Sequence, residues 1–127
     1  MATRTPQETL DQFLVSFNSG NLEGTLTFYE SGATLVPQPG QQVTGTAAIR
    51  EALGAFLAMK PTLKPERQAW VVAGDLALGC MRWTLKGTGP DGKPVVMNGT
   101  SSDIFRRQPD GRWLIALDNP WGTAIAG

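Results

Sequence analysis

The sequence predicts an α+β fold in which three N-terminal helices pack on a strongly curved antiparallel sheet. Two observations indicate this class. Apolar residues recur at helical spacing up to about position 60, and from Thr62 onward strand-like runs alternate with turn signals. Consecutive hairpins without βαβ crossovers are typical of helices packed on one face of a sheet. We expect residues 1–127 to form a single domain, because this length suits one core.

The first helix is predicted to begin at Pro6. Thr5 supplies an N-cap hydroxyl, Pro6 occupies the first helical position, and Glu8 completes a capping box. Apolar side chains then recur three and four residues apart, and 18–20 (NSG) end the helix. The members of this stripe are Leu10, Phe13, Leu14 and Phe17.

Two further helices follow in the predicted order. Asn21 is expected to cap a short helix that carries Leu22, Leu26 and Tyr29 on one face and ends at 31–32 (SG). Thr46 is expected to cap a third helix that ends before 60–61 (KP). Its apolar face comprises Ile49, Leu53, Phe56 and Leu57.

The strands are placed by breaker residues. A short strand is expected at 33–36 and must stop at 37–40 (PQPG), because two prolines and a glycine cannot sit in a central ladder. Turn signals at 74–75, 89–92 and 109–111 then divide the remaining chain into long strands. The pattern predicts a four-stranded meander.

Composition excludes several classes of function. Eleven basic and eleven acidic residues cancel, so no long-range field favours nucleic acid or an anionic membrane. The chain has no histidine, which excludes Ser-His-Asp, Cys-His and histidine-ligated zinc sites. The acidic residues have no calcium-loop spacing, and no glycine motif fits a dinucleotide, so we expect no metal and no cofactor. One cysteine, Cys80, and no apolar span or signal segment favour the cytoplasm.

Several segments resemble the bacterial delta-5-3-ketosteroid isomerases. They are 18–24 (NSGNLEG), 33–35 (ATL), 45–51 (GTAAIRE) and 103–106 (DIFR). The resemblance places the chain in the nuclear transport factor 2-like superfamily, which includes these isomerases, the small polyketide cyclases and many uncharacterised SnoaL-like proteins. It implies a cystatin-like α+β cone or barrel that encloses a small, largely apolar pocket.

The resemblance carries over one of three isomerase site residues. Pro37 stands where the isomerases have their general-base aspartate, and Phe13 stands where they have a hydrogen-bonding tyrosine. Asp103 matches their third residue, an aspartic acid that stays protonated and donates to the substrate oxygen. Steroid isomerisation by that mechanism is therefore not expected.

Strand alternation extends the predicted pocket. If Asp103 faces inward, so do its neighbours of the same parity, and alignment of Trp83 with an inward aromatic orients the preceding strand. The last strand is expected to send Leu114, Ala116 and Asp118 inward. We predict Asp103 and Asp118 as catalytic carboxyls. The predicted ligand-binding residues are Phe13, Phe17, Tyr29, Phe56, Met81, Trp83, Met97 and Phe105.

Structural roles compete with these assignments. Asp118 could serve only the turn before Asn119 and Pro120, and aromatic stripes are core residues first. Three functions stay open: a pocket that only binds a small apolar or aromatic molecule, a carboxylate-based isomerase, cyclase or hydrolase, and an association module with a vestigial pocket. Trp113, Ile115 and Leu117 are expected on the outer sheet face, where they would form a homodimer interface.

Overall fold

The computed structural model describes residues 3–127. Three helices precede the long strands, and a six-stranded sheet holds the rest of the chain together. The helices are α1 (Pro6–Asn18), α2 (Leu22–Leu26) and α3 (Thr46–Leu57). The strands are β1 (Tyr29–Leu35), β2 (Val43–Thr44), β3 (Thr62–Ala73), β4 (Leu76–Thr88), β5 (Pro94–Arg107) and β6 (Trp113–Asp118). A 3₁₀ turn spans Gly122–Ala126.

The predicted fold class is confirmed. The sheet order is β2-β1-β6-β5-β4-β3, and β3 to β6 form the expected antiparallel meander. Strand β1 adds one parallel pair with β6, so the whole sheet is mixed. The sheet is an open one, with β2 and β3 at its edges, and does not close into a barrel.

The local signals placed α1 correctly. The Thr5 hydroxyl accepts the Glu8 amide, and Glu8 accepts the Arg4 amide in return, so the capping box is present with its partner one residue earlier than usual. At α3 the predicted cap was one residue late, because Thr46 is the first helical residue and Gly45 occupies the cap position.

Tyr29 lies on a strand, which corrects its predicted place on the second helix. Helix α2 ends at Leu26, and β1 begins at Tyr29, four residues before the expected start. The segment Ser31-Gly32, read as a helix stop, is an irregularity within β1, where the pairing with β6 shifts between Tyr29 and Thr34. Gly32 has a positive φ of 77°, which this bulge requires and which glycine adopts without strain.

The predicted orientation of β6 was wrong for Trp113, Leu114 and Ile115. Trp113 and Ile115 belong to the core on the helix side, and Leu114 lies on the opposite face. The reason is a bulge at Ala116: Phe105 pairs with Ile115, but the preceding residue of β5 pairs with Leu117. One extra residue reverses the alternation. Leu117 therefore faces outward and Asp118 inward, as predicted.

The core lies between the helices and the inward side of the sheet. It unites apolar residues of α1, α3 and every strand from β3 to β6 with those of β1.

No helix within residues 3–127 has the length and hydropathy that crossing a bilayer requires. Trp113 is only 6% exposed in the single chain, so it does not form the dimer surface that the sequence predicted for it.

Candidate functional site

A cavity opens between the helices and the sheet. It has a volume of about 80 Å³ accessible to water-sized molecules. Its walls are almost entirely apolar and come from α1, α3, the end of β1, the inward residues of β3 to β6 and the segment after β6. The lining residues are Leu10, Phe13, Phe17, Leu35, Leu53, Phe56, Leu63, Met81, Trp83, Leu85, Met97, Ser101, Asp103, Phe105, Ile115, Asp118, Pro120 and Trp121.

The structure places most predicted site residues around this cavity. Both carboxyls line it, as do seven of the eight residues predicted to contact a ligand. Tyr29 is the exception, because it stands behind Asp118 and does not form part of the wall. Whether the seven side chains touch a ligand stays a prediction.

Strand register brings the two carboxyls together. Asp103 projects inward from β5, and the bulge at Ala116 turns Asp118 inward from the neighbouring β6. The two side chains hydrogen-bond to each other. The Asn119 amide donates to Asp103 Oδ1 at 2.8 Å, and the Tyr29 hydroxyl donates to Asp118 Oδ2 at 2.5 Å.

Ser101 completes the polar set. Its hydroxyl accepts the Met81 amide at 3.1 Å and hydrogen-bonds to Asp103. Among the residues that the structure describes, no cluster of three histidine, cysteine, aspartate or glutamate side chains gathers here or elsewhere. The site is therefore a carboxyl pair with hydroxyl and amide donors, set in an apolar wall.

Burial and mutual repulsion determine the electrostatics of the pair. Removal from water raises the pKa of Asp103 well above its usual range, and the nearby Asp118 charge raises it further. Burial also raises the pKa of Asp118, but the hydrogen bonds from Tyr29 and Asp103 oppose that effect. The pair therefore retains one proton to a higher pH than separate carboxyls would.

Two tryptophans build the wall nearest the end of β6. Trp83 lies over Gly99, where a Cβ would approach the indole to 3.0 Å, and its Nε1 donates to the Pro120 carbonyl at 2.8 Å. The Trp121 ring meets Trp83 edge to face at 5.5 Å, and its Nε1 donates to the Pro37 carbonyl at 3.1 Å. The glycine permits this close approach.

Sequence reasoning missed the contribution of Pro120 and Trp121. The segment after β6 is held by Asn119, whose side chain accepts the Trp121 amide and donates to the Gly122 carbonyl. An Asn-Pro-Trp-Gly run directly after an inward carboxyl was the available signal. It marks a turn whose tryptophan returns to the site.

Comparison with known proteins identifies the family. The model of the SnoaL-like domain matches residues 10–115, which is most of the chain. This chain belongs to the SnoaL-like domain family. No protein of curated function matches the SnoaL-like chain significantly in sequence.

Solved structures confirm the fold of this SnoaL-like domain. A nuclear transport factor 2-like superfamily protein from Salmonella enterica serovar Typhimurium superposes with a TM-score of 0.81 at 20% identity, covering 91% of this chain and 86% of that one. A candidate ketosteroid isomerase from Shewanella frigidimarina gives 0.72 at 19%, covering 87% and 89%. SalBIII, an epoxide hydrolase/cyclase-like enzyme in pyran ring formation in salinomycin, gives 0.73 at 20%, covering 94% and 92%.

Proposed function

We propose that the chain is an acid-base enzyme acting on a small, mainly apolar molecule that bears a carbonyl or similar oxygen. One observation carries the proposal: a hydrogen-bonded pair of buried carboxyls, Asp103 and Asp118, forms the polar part of an apolar cavity wall. A pocket that only binds has no need of such a pair, because a buried charge is costly unless it is used or well compensated. The cavity also disfavours the association module as the main function.

The pair provides both halves of a proton transfer. Asp118, as a carboxylate, takes a proton from the carbon beside the carbonyl, and the C–H electron pair becomes part of a new double bond. The carbonyl electron pair moves to oxygen, which receives the proton of Asp103. Return of a proton to carbon, with recovery of the oxygen's proton by Asp103, restores the starting state. The hydrogen bond between the carboxyls keeps both groups within reach of one reacting centre.

Cavity size limits the substrate. A cavity of about 80 Å³ is smaller than the roughly 150 Å³ that accommodates benzene in an apolar engineered site. One small ring fits if partly exposed wall residues such as Phe56, Met97 and Trp121 move. A four-ring steroid is too large.

Ligand screening followed by isotope exchange tests the proposal. We expect small cyclic ketones or phenols to raise the melting temperature, since a ligand at about 100 times its Kd stabilises by about 2.7 kcal/mol. Compounds that bind are then incubated with protein in D₂O, and loss of the proton beside the carbonyl is followed by proton NMR. Asp118→Asn should slow this exchange by about 100-fold or more, and Asp103→Asn should slow it as well.

Asp75→Asn is the matched control. Asp75 is an exposed aspartate paired with Arg107 outside the cavity, so the Asp75→Asn protein should exchange the substrate proton at the wild-type rate. Binding without exchange would leave a pocket that only binds and would contradict the catalytic proposal. An entire panel without thermal shift would contradict the pocket itself.

We also propose that the chain forms a homodimer through the outer face of its sheet. Four apolar side chains there lie side by side across four strands, because Val71 pairs with Leu78, Leu78 with Ile104, and Ile104 with Leu117. Val71 is 64% exposed and Leu78 is 37% exposed. Ile104 and Leu117 are partly exposed, and a continuous apolar row of this kind supports a self-complementary interface. The cytoplasm stays our proposal for the compartment.

A further inference from the structure

One buried hydroxyl near the site is not accounted for by the proposed reaction. Tyr29 is 8% exposed, does not line the cavity, and still donates its hydroxyl to Asp118 at 2.5 Å across 89 positions of sequence. Its ring is fixed by edge contact with Phe13, with centroids 6.0 Å apart. Burial, followed by the negative charge of Asp118, raises the pKa of Tyr29 well above its ordinary value, so the phenol stays protonated and acts as a donor.

The two carboxyls have different sets of donors. Asp103 receives the Asn119 amide and the Ser101 hydroxyl, and each of these favours its ionised form. Asp118 receives the Tyr29 hydroxyl, and it keeps more access to water than Asp103. The position of the negative charge is therefore decided by competition between these donor sets and the different burial of the two groups.

Few other groups around Asp103 and Asp118 could decide which of the two carries the negative charge. From α1, α3, β3 and β4, the side chains facing the carboxyls across the cavity are apolar, and the only titratable groups in the lining are the two aspartates. From β1 the titratable group that reaches them is Tyr29. From the segment after β6 they are approached by a backbone amide, that of Asn119.

We infer that Tyr29 is a positioning residue that holds the negative charge of the carboxyl pair on Asp118 and thereby leaves the proton on Asp103. This inference deepens the proposed function and rests on it for its catalytic meaning. Tyr29 then fixes which carboxyl is the base and which is the acid, without touching the substrate. In its absence the amide and hydroxyl donors of Asp103 draw the charge toward that residue, and the two roles become mixed.

Carbon-13 NMR of the Asp103 and Asp118 carboxyl carbons, followed from about pH 4 to about pH 9, tests the inference without any ligand. In the wild type Asp118 should ionise at lower pH than Asp103. In Tyr29→Phe the Asp118 midpoint should rise by about one pH unit, since a donor to the charged form is lost, and the Asp103 midpoint should fall. The aromatic ring and its contact with Phe13 are kept in this variant.

Thr9→Val is the matched control, because it also removes a buried hydroxyl that donates to β6, at the Trp113 carbonyl. Its carboxyl midpoints should equal those of the wild type. Unchanged midpoints in Tyr29→Phe would overturn the inference. A wild type in which Asp103 ionises first would overturn it without any variant. The D₂O exchange experiment tests catalysis separately, so failure of the reaction and failure of the Tyr29 role give different results.

Discussion

At the scale of single residues, Asp103 shows how burial changes a carboxyl. It is 9% exposed, faces apolar walls and stands beside a second carboxyl, and these conditions raise its pKa well above the usual range. Because the folded pKa lies above the unfolded one, the folded state binds more protons between the two values. Stability is therefore lost as pH rises from the unfolded pKa toward the folded pKa of Asp103.

Asp103→Asn should remove most of this loss. Asparagine keeps an oxygen for the Asn119 amide and supplies an N–H toward Asp118, as the protonated acid does. The wild type should lose about 1.4 kcal/mol of unfolding free energy per pH unit within that window, and the variant should lose much less. Urea unfolding at several pH values checks this. Parallel pH profiles of stability for the two proteins would show that folding does not raise the pKa of Asp103.

At the scale of elements, the turn after β6 supports one end of the site. The backbone amide of Asn119 donates to Asp103, and its side-chain amide donates to the Gly122 carbonyl in the following turn. Gly122 lies directly against the Thr100 carbonyl. A Cβ on Gly122 would stand 2.3 Å from that oxygen, and the residue has a φ of 54°. A glycine is required here both for conformation and for space.

Gly122→Ala should lower the unfolding free energy by more than about 1 kcal/mol, since the new methyl group meets backbone that cannot move aside. Gly40→Ala is the matched control: Gly40 has a φ of 86°, but a Cβ there meets no atom within 4 Å. Thermal unfolding should show a larger loss for the Gly122 variant. Equal losses would mean that positive φ alone, and not the contact with Thr100, sets the requirement.

At the scale of the whole molecule, the two sheet faces have different roles. The inward face supplies the core and the carboxyl pair, and the outward face carries the apolar row of Val71, Leu78, Ile104 and Leu117. Sequence alternation alone put Trp113 on the outer face, but its side chain is in the core. Trp113→Glu is therefore expected to unfold the chain and not to separate a dimer, because it would bury an unpaired charge.

Leu78→Glu should convert a dimer to a monomer while the fold survives, because this side chain is exposed in the single chain and central in the apolar row. Sedimentation velocity measures the change. Val15→Glu is the matched control: Val15 is an exposed valine on α1, 71% accessible, and its substitution should leave the dimer intact. A Leu78→Glu protein that sediments as the wild type does would place any interface elsewhere.

The sequence by itself determined the features that depend on neighbouring residues. The start of α1 follows from its capping box, and the three hairpin turns follow from glycine, proline and aspartate at fixed positions, because such signals act over a few residues. Once the resemblance turns Asp103 inward, strand alternation within β5 correctly turns Met97, Ser101 and Phe105 to the same side.

Only the tertiary structure decided the features that depend on pairing between distant segments. The bulge at Ala116, which turns Trp113 and Ile115 inward, arises from the register of β6 against β5 and has no local signal. The parallel contact of β1 with β6 brings Tyr29 to Asp118 across 89 positions. Register and long-range contact are set by global packing, so the bond from Tyr29 to Asp118 and the places of Pro120 and Trp121 in the wall emerged only when the strands were assembled.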